Sequence, residues 1–66
     1  MTSALQQRGA AIRAKRHACR INVIDVAIRA RVTTRDVIAV EDGRGTESDI
    51  AAIELTLQEI VQHASE

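Results

Sequence analysis

Small apolar residues recur along this 66-residue chain at helical spacing. Nowhere do apolar and polar positions alternate long enough to suggest a strand. The central stretch, residues 22–43, reads as two short helices joined by a tight turn. Val26, Ala27 and Ala30 share one face of the first helix, Val37 and Val40 share one face of the second, and Val32 lies in the turn. Upstream, Leu5, Ile12 and Cys19 mark the inward side of a longer helix. Downstream, Ile50, Ile53, Leu57, Ile60, Val61 and Ala64 form a stripe that Ala51, Ala52 and Leu55 widen.

Small polar residues mark the helix starts. Ser3, Asn22, Thr33 and Thr46 are each followed three positions later by Gln6, Asp25, Asp36 and Asp49. The first residue of each pair can accept an unpaired backbone N–H, and the second can reach back toward the helix start. These signals predict helices over 4–19, 23–30, 34–41 and 47–63. Gly43-Arg44-Gly45 is the one flexible joint. The chain therefore reads as a single all-α domain over residues 1–66, with four or five helices. Two short helices with a close crossing form a helix-turn-helix, whose second helix can enter a DNA major groove.

A domain this small has a thin core and often leans on a partner chain. The last helix is longer than the others can cover, and its first two turns should suffice to close the core. Leu57, Ile60, Val61 and Ala64 would then meet a second copy, which predicts a homodimer.

Charge sharpens the picture. All nine Lys and Arg lie in residues 1–44 against four acids, a net +5, while residues 45–66 carry five acids and no Lys or Arg, a net −5. A basic half is what a phosphate-binding face needs. No apolar run is long enough for a membrane span, and no signal-peptide core is visible at the start. The lone Cys19 cannot form an internal disulfide and suits a reducing cytoplasm. His17, Cys19 and His63 have no metal-ligand spacing. No nucleophile–base set or Gly-rich phosphate loop is present, so no enzyme, cofactor, metal or small-molecule substrate is expected. With no Phe, Tyr or Trp, the chain has no stacking platform for single strands.

From Gly9 to about Gly43 the chain resembles the phage repressor and Cro family of helix-turn-helix proteins, also called lambda-repressor-like. The likeness rests on Gly9, Ile12, Arg13 and Arg16 in the first helix, Ile21-Asn22-Val23 opening the second, Ala27 at the crossing, and Val40-Glu41-Asp42-Gly43 closing the third. The chain departs from the family at Val23, which replaces a Gln that contacts the DNA backbone. Arg20 and Arg31 replace glycines after helices 1 and 2, and Lys15 replaces a core Leu. The resemblance implies an ion pair between Arg16 and Glu41. It also implies a cytoplasmic, bacterial or phage-encoded transcription regulator, expected to be a repressor on a palindromic operator. Duplex DNA and a second copy are its expected partners. Asn22, Thr33, Thr34, Arg35, Ile38, Ala39 and Arg44 are the expected DNA-binding residues, with Arg35 placed to reach guanine and Arg44 to reach a phosphate. Asp36, Glu41 and Asp42 make the third helix acidic on balance, and Ile38 would stand exposed on its reading face. Both features, with Val23 at the start of the second helix, keep an alternative open: a protein-interaction module that retains the fold without binding DNA.

Overall fold

The computed structural model describes residues 3–64 of the chain. It contains four helices: α1 (Ala4–Ala18), α2 (Val23–Ala30), α3 (Thr34–Glu41) and α4 (Glu47–Ala64). The four polar starts explain these boundaries. Ser3 Oγ accepts from the Gln6 N–H at 3.1 Å, and the Ser3 N–H donates to Gln6 Oε1 at 3.1 Å. Thr33 and Asp36 make the same reciprocal pair at 3.0 and 3.1 Å. Asn22 Oδ1 accepts from the Asp25 N–H at 2.8 Å, and Thr46 Oγ1 from the Asp49 N–H at 3.1 Å. A cap of this kind contributes about 1 kcal/mol, enough to decide where a short helix begins.

The core lies where the helices meet. Ile12, Val26, Ala27, Val37, Val40, Ile50, Ile53 and Leu57 are buried, with Ile21, Val23, Ala30, Val32 and Ile60 packed around them. α2 packs on α3 and α4, and α1 packs on the same two helices. With no aromatic residue to fill space, closure depends on close backbone approach. Gly9 shows this most clearly. A Cβ built there would strike the Val40 carbonyl oxygen and stand 3.1 Å from that of Glu41, so α1 rests directly on the last turn of α3.

Two apolar assignments need correction. Leu5 is 38 % exposed, because α1 reaches the core through Gly9 and Ile12 and its first turn lies at the margin. Leu57 is 1 % exposed within the single chain and cannot contact a second copy. α4 thus closes the core with Ile50, Ile53 and Leu57, not with its first two turns alone. Beyond Leu57, Ile60 is half-buried and Val61 is 43 % exposed. The side chain of Ala64 lies outside the described residues. No helix among the described residues is long and apolar enough to cross a membrane.

Candidate nucleic-acid interface

α2, a three-residue turn and α3 form the unit that carries most of the predicted site. Val37 and Val40 point α3 into the core, which turns Thr34, Arg35 and Ile38 outward. All three are exposed, Ile38 at 51 %, and Ala39 is half-buried beside them. Arg35 makes no ion pair or hydrogen bond among the described residues, so its planar fork of donors is open. Asn22 and Thr33 stand exposed at the starts of α2 and α3. Both side-chain oxygens cap their helices, which leaves the Asn22 amide N–H groups and the Thr33 hydroxyl proton able to donate outward.

The ion pair between Arg16 and Glu41 forms with bidentate geometry. Arg16 Nε donates to Glu41 Oε2 at 2.7 Å and Nη2 donates to Oε1 at 3.0 Å, while Nη1 donates to the Ile21 carbonyl at 3.1 Å. The side chains are only 12 % and 9 % exposed. The bonds to Glu41 hold the Arg16 guanidinium more firmly protonated than usual, against the cost of burial. The pair ties the end of α3, and the chain entering α2, to α1. Losing one partner of such a pair costs roughly 3–5 kcal/mol when the other is left buried.

Arg44 is exposed but engaged: its Nη2 donates to Asp42 Oδ2 at 3.0 Å. This contact accounts for Asp42, which sequence reasoning leaves unexplained. At 72 % and 54 % side-chain exposure it is a weak surface pair that a phosphate could displace.

The acidic balance of α3 is therefore mostly internal. Asp36 caps the helix, Glu41 faces Arg16 and Asp42 faces Arg44. Among the described residues Arg13, Lys15, Arg20, Arg29, Arg31 and Arg35 are exposed cations without an ion pair. Val23, where the resemblance expects a phosphate-contacting Gln, packs against the core. Lys15 lies exposed in a shallow recess beside Glu54, Gln58, Val61 and Gln62, with its charge near the Glu54 carboxylate.

Two features escape sequence reasoning. Arg8 clasps α4, donating through Nη1 to Glu47 Oε2 at 2.7 Å, through Nη2 to Glu54 Oε1 at 2.6 Å and through Nε to Glu54 Oε2 at 3.1 Å. These partners are 39 and 46 positions away, and only the register of α1 on α4 brings them together. Ile24 and Ile28, one turn apart on the outer side of α2, are 59 % and 70 % exposed. A helical projection of α2 about Val26, Ala27 and Ala30 would have found them. No group of His, Cys, Asp or Glu that could hold a metal occurs among the described residues. Compared with models of protein families, with characterised proteins and with solved structures, the chain matches none.

Proposed function

We propose that this domain binds double-stranded DNA sequence-specifically, as a homodimeric transcription regulator that acts as a repressor. The observation that carries the reading is the outer face of α3. A short, well-capped helix presents Thr34, Arg35 and Ile38 to solvent, and the Arg35 side chain has no partner among the described residues. In a major groove, Arg35 would donate to guanine O6 and N7, Thr34 to a base edge or phosphate, and Ile38 with Ala39 would touch a thymine methyl. Asn22 and Thr33 would donate to the phosphate backbone, and Arg44 would exchange Asp42 for a phosphate. The second copy would pack on the far end of α4, at Ile60 and Val61. Repression, by occupying a promoter, is what the resemblance to the phage repressors implies.

A second reading has its own observation. Ile24 and Ile28 on α2 and Ile38 on α3 are exposed, which favours a module that grips another protein. A gel shift on genomic fragments at two salt concentrations separates the readings. Steep weakening with salt, about 0.9 in log K per decade for each neutralised phosphate, supports DNA binding. No shift at either concentration leaves the protein-interaction module.

A further inference from the structure

α1, α2 and α3 end in the same hydrogen-bonded form. The left-handed residue donates to a carbonyl three back, and the next residue donates to one five back. In α1 these bonds are Arg20 N–H to His17 at 3.0 Å and Ile21 N–H to Arg16 at 3.1 Å. In α2 they are Arg31 N–H to Ile28 at 3.3 Å and Val32 N–H to Ala27 at 3.0 Å. In α3 they are Gly43 N–H to Val40 at 3.0 Å and Arg44 N–H to Ala39 at 2.8 Å. The left-handed residues are Arg20 at φ 57°, Arg31 at φ 60° and Gly43 at φ 82°.

Glycine is the residue this backbone favours, and only α3 has it. At Gly43 the neighbouring Gln6 also leaves no room for a side chain. At the other two ends the chain accepts the unfavourable backbone and carries a long cation. Helix-dipole compensation does not require this, because Lys15, Arg16 and His17 already occupy the last turn of α1 and Arg29 that of α2. Both arginines are exposed and have no ion pair or hydrogen-bonded side-chain partner among the described residues. Their settings match: Arg20-Ile21-Asn22 leads into α2 and Arg31-Val32-Thr33 leads into α3, each with a half-buried branched residue between the cation and the cap.

We infer that Arg20 and Arg31 are phosphate-contacting residues, two cations at the entries to α2 and α3 that engage the phosphodiester backbone of duplex DNA without reading its sequence. This inference rests on the DNA-binding reading and adds two contacts to it. A flexible guanidinium at each site needs no defined base edge, so a duplex of mixed sequence is the appropriate probe.

The test is a fluorescence-anisotropy titration of a labelled mixed-sequence duplex over a range of salt, with thermal melting of each variant. Arg20→Gly and Arg31→Gly should melt no lower than the parent, since glycine suits the left-handed backbone. Each should flatten the slope of log K against log salt by about 0.9, and the double variant by about twice that. Arg20→Gln and Arg31→Gln keep a side chain on the same backbone and remove only the charge; they should flatten the slope equally. The two Lys variants should retain it. A parent that binds while both the Gly and Gln variants keep its slope overturns the assignment and leaves the DNA reading standing. A parent that does not bind the duplex at any salt overturns both.

Discussion

Gly9 is the residue on which the geometry of this fold turns. It looks like one more small residue in an Ala-rich helix, yet its missing Cβ is what lets α1 lie on the carbonyls that end α3. Those carbonyls are backbone atoms and cannot rotate aside. Gly9→Ala should therefore destabilise the domain, by roughly 1–3 kcal/mol in urea unfolding, although alanine is the better helix former by nearly 1 kcal/mol. A variant as stable as the parent would show that α1 can shift at no cost. The sequence carried this position only through its likeness to the Gly-x-x-Ile-Arg pattern; spacing alone could not show which backbone it meets. Arg16 and Glu41 were readable in the same way, and they form the expected pair. Leu57 was misread because its exposure depends on how far α2 and α3 extend along α4, which no local pattern encodes.

At the scale of elements, the boundaries were the most readable feature. α2 and α3 span the residues their caps predict, α1 ends one residue before the expected position and α4 one residue after it. Capping is local chemistry over three positions, so the sequence contains it in full. The clasp between α1 and α4 is the opposite case, since Arg8 meets Glu47 and Glu54 only in the folded chain. Its bonds to Glu54 hold that carboxyl below the usual carboxylate range, assisted by the charges of Arg8 and Lys15 and opposed by desolvation. A carboxyl whose folded value is lowered adds stability above its unfolded value and loses it as pH falls through the folded one. Arg8→Gln should therefore be less stable than the parent at neutral pH, and the gap should narrow as pH falls below the usual carboxylate range, measured by urea unfolding at neutral and at acid pH. A gap of equal size at both values would mean that the Arg8 stem, not its charge, holds α1 to α4.

For the whole molecule, the formal charge of zero conceals two halves of opposite sign, and the fold uses part of each to bind the other. Among the described residues the ion pairs across the halves are those of Arg8 with two acids of α4, while Arg16 and Arg44 pair with Glu41 and Asp42 of their own half. Six cations are exposed without an ion pair among the described residues, Arg35 among them on the outer face of α3. A second copy on Ile60 and Val61 would set two such faces side by side about the same axis. The most direct measurement of this account is selection of bound duplexes from a randomised library, by the parent and by Arg35→Ala. The parent should enrich an inverted repeat whose half-sites lie about one helical turn apart, roughly 34 Å, each containing a guanine. Arg35→Ala should relax preference at one position in each half-site, at a cost of roughly 1–3 kcal/mol. An enriched site without two-fold symmetry would contradict the dimer. Parent selections that enrich no sequence, or an Arg35→Ala variant that enriches the parent's site unchanged, would contradict the assignment of α3 as the reading helix.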